Sequence, residues 1–466
     1  MKEKKLSRRD FLLLSGGATA GALLAACQPE VVKETVEVEV TREVEVEKEV
    51  EVEKEVEVTV QVPADAEPVT ISFLAIHPGF DDVLPYFYDD NPGIVVEPDY
   101  LSWDAFFEQC QVRLAAGTGD PDVLEVDVPM TAPYGFRDWL LPLDDAYTQA
   151  ERDDWLDAAR AAGTYQGKLI SAPMNTSTQL LMYNKSIFDR AGIEPPGQDE
   201  RWTWEQVAEA AQQLTFDDDG DGTPETWGFI WEQVIRIYQL QPMPMSLGGK
   251  AIGDDGLTVR GVLDADPWIE AFTYYWKAFN EWKFAPTGDI GWPSDTLFRT
   301  GKLGLEIMGS WNIGQNAGAD LDFEWGVSRH PYFAGGEIVT PTGSWHMGVN
   351  ATADQPDEAI RLVRWVTTTR GNELYWRYGP HDFPALKSVL ALFQTDPEFD
   401  EPPMSYERVA ADEATQNPQP RAVTPGYLEY EEILGDTFED MRNGADVSEA
   451  LGTAVDRIEA EMAKYG

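Results

Sequence analysis

The sequence predicts an α/β protein whose body is divided into two lobes, and three observations carry that expectation. Short apolar strands alternate with helical segments from Val69 onward, the pattern of a layered lobe built on a largely parallel sheet. The body runs from about residue 68 to residue 466, more chain than a single hydrophobic core usually serves, so it should split. No apolar segment inside that body is long enough to span a bilayer, which takes ~20 residues.

Residues 1–26 have a different character. Ser7-Arg8-Arg9-Asp10-Phe11-Leu12 resembles the twin-arginine export signal, and the apolar run that follows ends in Leu24-Ala25-Ala26-Cys27, similar to a bacterial lipoprotein signal. That resemblance implies cleavage before Cys27, acylation of its thiol, and a body held outside the cytoplasm at a membrane. An uncleaved transmembrane anchor is the alternative, but the run holds Gly16, Gly17 and Gly21 and is short for a bilayer. Residues 27–67 then form an anchor and spacer. Residues 37–60 read as four six-residue units of alternating Glu and Val, which predicts an extended, mostly disordered tether because its like charges repel. Pairing of Val faces between neighbouring molecules is the competing reading, since alternation is a strand pattern.

Within the body, Val69–Ile76 reads as a first strand, Ile94–Pro98 as a second and Asp122–Asp127 as a third. Between the last two lies a helix, Ser102–Gly117, with Ser102 as N-cap and Gly117 just past its end. Ligands of open α/β sheets sit beyond the carboxyl ends of the strands, so His77, Phe80 and Asp127 are expected to face a cleft. Trp103, Phe106, Phe107, Cys110 and Leu114 share one face of that helix, and Cys110 is expected to be a buried, inert thiol. With Cys27 lipidated, Cys110 has no intramolecular partner and no disulfide framework forms. Further on, Thr203 and Gln206 make a capping box, with Trp204, Val207, Ala208 and Ala211 on the apolar stripe behind it. Asp264-Ala265-Asp266-Pro267 opens a Trp/Tyr-rich helix running to about Trp282.

The body resembles the extracellular solute-binding proteins of the maltose-binding type, which serve ABC importers. The segments that carry the resemblance include Asn91-Pro92-Gly93-Ile94-Val95-Val96, Leu114-Ala115-Ala116-Gly117-Thr118-Gly119-Asp120-Pro121-Asp122-Val123, Met182-Tyr183-Asn184-Lys185 and Phe298-Arg299-Thr300-Gly301-Lys302. Their order is more specific than any one of them. The resemblance implies a two-lobed periplasmic-binding-protein-like fold with a hinge and an interlobe ligand cleft. Crossings are expected near residues 175, 340 and 395, giving an N-terminal lobe of 68–175 with 340–395 and a C-terminal lobe of 176–339 with 396–466.

A sugar site needs aromatic faces for the CH patches of the ring and short polar side chains for its hydroxyls. The chain has 16 Trp, most of which must be core. Trp311 resembles the family's stacking aromatic, Trp345 lies just past the expected second crossing, and Trp231 follows the strand-like Trp227-Gly228-Phe229-Ile230. Asn175, Thr176 and Ser177 follow the first crossing, though turn chemistry favours the same residues. Tyr427 looks like a late aromatic that family members place against sugar.

Asp217-Asp218-Asp219-Gly220-Asp221-Gly222-Thr223-Pro224-Glu225 matches the first half of an EF-hand-like calcium loop, with ligands expected from Asp217, Asp219, Asp221, Thr223 and Glu225. The bidentate Glu is missing, because Gly228 stands at the last loop position. Any calcium here would be structural, and an acidic surface turn is the bland alternative.

The net charge of −48 excludes nucleic acid as a partner, whose phosphates need Lys and Arg. No HExxH, GxSxG or Walker motif is present, and His77, His330, His346 and His381 lack metal-ligand spacing. The expected function is capture of a mono- or oligosaccharide, without catalysis or a required cofactor, by a lipid-tethered monomer that delivers it to a permease. A polyamine binder is the first alternative, because Trp boxes also cradle cations. A carbohydrate-active enzyme using two carboxylates is the second.

Overall fold

The computed structural model describes residues 67–287, 294–379 and 383–466. The expected leader, Cys27, the spacer up to residue 66 and His381 lie outside the described residues. No helix among the described residues is long and apolar enough to cross a membrane.

Two sheets organise the body. The first contains β1 (Val69–Ala75), β2 (Ile94–Tyr100), β3 (Val123–Asp127) and β4 (Ala172–Pro173). The second contains β5 (Gln179–Asn184), β6 (Trp227–Trp231), β7 (Leu303–Gly309) and β8 (Trp325–Ser328). The chain then returns to the first sheet as β9 (Trp345–Val349). Strand orders are β2-β1-β3-β9-β4 and β8-β5-β7-β6. β1 lies parallel to β2 and β3, as strand–helix alternation requires, whereas β9 runs antiparallel to β3. β9 differs because it arrives from the other sheet and not from a crossover helix. β1 is mainly apolar and buries its carboxyl end from Phe73 to Ala75, and β3 is buried along its whole length, including Glu125 and Asp127, as strands inside a sheet covered on both faces are.

The helices follow their local signals. α1 (Phe80–Asp90) precedes β2, and α2 (Trp103–Ala116) follows it; α2 ends on Gly117 at φ 62, a left-handed conformation that glycine adopts without a Cβ penalty. α3 (Trp204–Gln213) begins with the complete Thr203/Gln206 capping box, and Trp204, Val207, Ala208 and Ala211 are buried. α4 (Asp266–Asn280) has Pro in its first turn and buries Trp268, Phe272, Tyr274 and Tyr275 against the second sheet's helices. α5 (Tyr427–Arg442) and α6 (Val447–Met462) pack on each other and on α4. Cys110 is fully buried, and burial pushes its thiol up to about 12, so it is inert as expected.

The two sheets are joined where the chain passes directly between them. Residues 174–178 link β4 to β5, and residues 340–344 lead from the second sheet back to β9. These segments hold each other side by side: Ser177 N donates to Gly343 O at 2.8 Å and Gly343 N to Ser177 O at 3.1 Å. The contact is an isolated antiparallel bridge between the two connecting segments.

Candidate functional site: an aromatic cavity between the sheets

A cavity of about 280 Å³ opens where the carboxyl ends of the parallel strands converge. From the first sheet come Ile76 and His77 after β1, Asp127 at the end of β3, Trp103 at the start of α2, and Trp345, which pairs with Asp127 across the β3–β9 ladder. From the second come Gln233, Arg236 and Tyr238 after β6, and Trp311 and Gln315 after β7. The connecting segments add Asn175, Ser177, Gly343 and Ser344, and Arg421 closes the floor.

Aromatic rings form two groups. Trp345 is met edge-on by His77 at 5.2 Å and by Trp103 at 5.9 Å between centroids. Tyr238 lies near-parallel to Trp311 at 6.3 Å. Polar contacts fix this framework. Asn175 Oδ1 accepts the Trp345 backbone N–H at 2.6 Å, and the hydroxyls of Ser177 and Tyr238 are 3.1 Å apart. Burial pushes the Tyr238 hydroxyl well above the usual phenol range, so it stays a neutral hydrogen-bonding group.

Each basic side chain of the cavity has a carboxylate beside it. His77 Nδ1 is 2.8 Å from Glu125 Oε1, and Glu125 Oε2 also accepts the Ile76 backbone N–H. Arg236 pairs with Glu431 at 3.0 Å while its guanidinium lies 4.8 Å from the centre of Trp103. Arg421 makes a two-pronged ion pair with Asp127, and both are more than nine-tenths buried. Burial opposes the Arg421 charge, but the Asp127 carboxylate more than offsets it and holds the guanidinium protonated.

Of the sequence-predicted ligand residues, His77, Asp127, Asn175, Ser177, Trp311 and Trp345 come together on this cavity. Four do not. Phe80 is turned inward against Phe73 and Tyr375, because it begins α1 on that helix's apolar face. Trp231 shares its strand face with Phe229, two residues earlier, and is fully buried against Phe229 and Trp204. Tyr427 is fully buried in the first turn of α5, its hydroxyl donating to Glu431. Thr176 is not on the cavity wall, and its buried hydroxyl donates to Gly343 O. Sequence reasoning missed Trp103, assigned to the packed face of its helix, along with Gln233, Arg236 and Arg421, which occupy loops, and Tyr238, which sits in the short helix Ile237–Leu240, all without a recognisable motif.

The acidic loop is a separate surface feature. Carboxylate oxygens of Asp217, Asp219 and Glu225 lie within 4.8 Å of one another, all exposed. Asp221 does not join them; it accepts the Thr223 backbone N–H at 2.8 Å. Gly220 and Gly222, at φ 76 and 92, make the tight turn.

Comparison with known proteins agrees with this architecture. The maltotriose-binding protein of Pyrococcus abyssi is 26% identical over 301 residues, covering 64% of this chain and 60% of that one. The mannitol-binding protein of Pseudomonas aeruginosa is 26% identical over 134 residues, covering 29% and 30%. Among solved structures, an ABC substrate-binding protein of Listeria monocytogenes in complex with cycloalternan superposes with a TM-score of 0.73 at 21% identity, over 85% of this chain and 100% of that one. The Thermus thermophilus maltotriose-binding protein bound with maltotriose gives 0.67 at 18%, over 84% and 99%. These likenesses establish the two-lobed fold. A model of the bacterial extracellular solute-binding proteins matches residues 74–373, and with nearly two-thirds of its length matched the chain belongs to that family.

Proposed function

We propose that this protein captures a short carbohydrate between its lobes and hands it to the membrane permease of an ABC importer. The observation that carries the reading is the cavity itself. Trp103, Trp345, Tyr238 and Trp311 offer flat apolar faces, while Asn175, Ser177, Gln233 and Gln315 offer short donors and acceptors. At about 280 Å³ it lies just below the ~300–1,000 Å³ range of ligand pockets, which supports a mono- or short oligosaccharide. The compensated charges support a neutral ligand. Two arginines on the wall disfavour a polyamine, which would meet like charge.

Under this reading the N-terminal lobe comprises residues 68–175 and 340–395, the C-terminal lobe 176–339 and 396–466, and the protein binds without turning its ligand over. Cys27 carries the lipid, the Val/Glu spacer holds a monomeric body near its transporter, and Asp217, Asp219 and Glu225 hold a structural calcium ion. The test is a panel of maltose, maltotriose, glucose, mannitol and spermidine, read by thermal shift and calorimetry. Saturable 1:1 binding of a sugar without product supports the proposal. Binding of spermidine alone, or hydrolysis of any glycoside, overturns it.

A further inference from the structure

The best-satisfied carboxylate beside the cavity belongs to a residue that does not line it. Glu232 follows β6, is 1% exposed, and is fixed by its own backbone N–H to Ile307 O. Its side chain accepts four hydrogen bonds. Oε1 takes Trp311 Nε1 at 3.0 Å and Asn312 Nδ2 at 2.9 Å; Oε2 takes the Gly309 backbone N–H at 2.9 Å and Gln239 Nε2 at 3.0 Å. The two amides cannot turn over to suit another partner. Gln239 Oε1 already accepts the Gln233 backbone N–H at 2.9 Å, and Asn312 Oδ1 accepts Arg299 Nη2 at 2.7 Å. All four partners therefore present N–H, and only a group with two full acceptor oxygens satisfies them. A buried carboxylate is tolerated here because its hydrogen bonds replace water.

Gly309 completes the seat. A Cβ at this position would fall inside the six-membered ring of Trp311, so the indole lies directly over the glycine backbone while Glu232 holds its N–H edge. The ring is thereby backed by protein at Gly309, and Trp311 lines the cavity.

We propose that Glu232 and Gly309 are positioning residues for ligand recognition: Glu232 fixes the Trp311 indole and, through Gln239, the backbone of Gln233, and Gly309 leaves room for the indole to lie flat. The proposal rests on the reading that Trp311 contacts a sugar. Glu232→Gln replaces one acceptor oxygen with an NH₂ and sets donor against donor whichever way it turns. Gly309→Ala evicts the ring while leaving the carboxylate and its other three donors in place.

The experiment has two arms. In the first, ¹⁵N-labelled protein gives the indole N–H signals, with that of Trp311 assigned by its loss in Trp311→Phe. A charge-assisted hydrogen bond should place this signal downfield; it should move upfield and exchange faster with solvent in Glu232→Gln, and shift in Gly309→Ala. In the second, maltose affinity is measured for Trp311→Ala, Gly309→Ala, Glu232→Gln and each double variant with Trp311→Ala. Each single change should weaken binding roughly tenfold, the scale of one aromatic contact. The second substitution should add little once Trp311 is gone. Equal losses with and without Trp311 would overturn the positioning role, as would an unmoved indole signal in both variants. No effect of Trp311→Ala on maltose binding would instead remove the reading of Trp311 as a ligand contact, leaving the spectroscopic arm to judge the indole seat.

Discussion

Asp127→Asn is the sharpest single perturbation of this structure. Asp127 ends β3 in the first sheet, and Arg421 lies just before α5, which packs with the second sheet's helices. The ion pair therefore ties together chain segments 294 residues apart in sequence. Its longer prong is 3.0 Å; at that distance two unit charges attract by about 5.5 kcal/mol at an effective dielectric of ~20. Removing one partner of a buried pair costs ~3–5 kcal/mol, because the remaining charge keeps its desolvation penalty. The isosteric amide leaves the shape unchanged, so the loss reports the charge and one of the two acceptor oxygens, not packing. For a body of ~400 residues that loss lowers the melting temperature by about 4–6 °C. Urea unfolding in the absence of sugar measures it. The double variant Asp127→Leu with Arg421→Met should recover most of the loss, since replacing both charges removes the desolvation cost as well. A loss below ~1 kcal/mol in Asp127→Asn would mean that water reaches the pair and that it is not the buried tie described here.

Other consequences are more compact. Trp311→Ala should weaken sugar binding by ~1–3 kcal/mol, the range of losing one aromatic anchor at an interface, read by calorimetry; unchanged affinity would make Trp311 a packing residue. His330 and His346 are fully buried, and burial pulls them down to about 4 and about 3. Unfolded histidine titrates near 6.5, so between these values the unfolded chain binds more protons, and stability falls as pH drops below ~6.5 by about 2 kcal/mol per histidine at pH 5. The wild-type stability curve between pH 7 and 5 should be steeper than that of His346→Asn; parallel curves would show that His346 is not held neutral. Calcium in excess should raise the melting temperature of the wild type and not of Asp219→Ala, and no shift in the wild type would remove the proposed ion.

The parts of the fold that were legible in sequence are those set by neighbours in the chain. The Thr203/Gln206 capping box, the left-handed Gly117 and the mainly apolar run of β1 depend on spacings of a few residues. The antiparallel entry of β9 was not legible in that way, because nothing in Trp345–Val349 distinguishes a strand that follows a crossover helix from one that returns from another sheet. Trp231 shows the same limit at the level of a side chain. Its strand was recognisable, but which face meets α3 is decided by Trp204, far away in sequence.

The cavity divides along the same line. Residues at strand ends, such as His77 and Asp127, could be placed because the carboxyl edge of a parallel sheet is where side chains become free of the ladder. Arg236, Tyr238 and Arg421 could not, because each is defined by a partner on another element: Trp103 and Glu431, Ser177, and Asp127. A carboxylate in a chain this acidic carries almost no signal by itself; 83 of them are present. What marks Glu125, Asp127 and Glu232 is burial, at 0%, 4% and 1% exposure, since an uncompensated charge cannot remain there. Three of the buried carboxylates stand beside a cavity residue, Glu125 against His77, Asp127 against Arg421 and Glu232 against Trp311, whereas others, such as Glu413 against Arg201 and Arg329, brace the fold elsewhere. The acidic surface keeps the chain dispersed in water, while these few interior acids orient the groups that would meet a neutral ligand. If that division holds, neutralising exposed acids should change solubility and leave sugar affinity alone, whereas neutralising any of these three should change affinity or stability. Equal sensitivity of affinity to Asp357→Asn, on the exposed face of its helix, would contradict it.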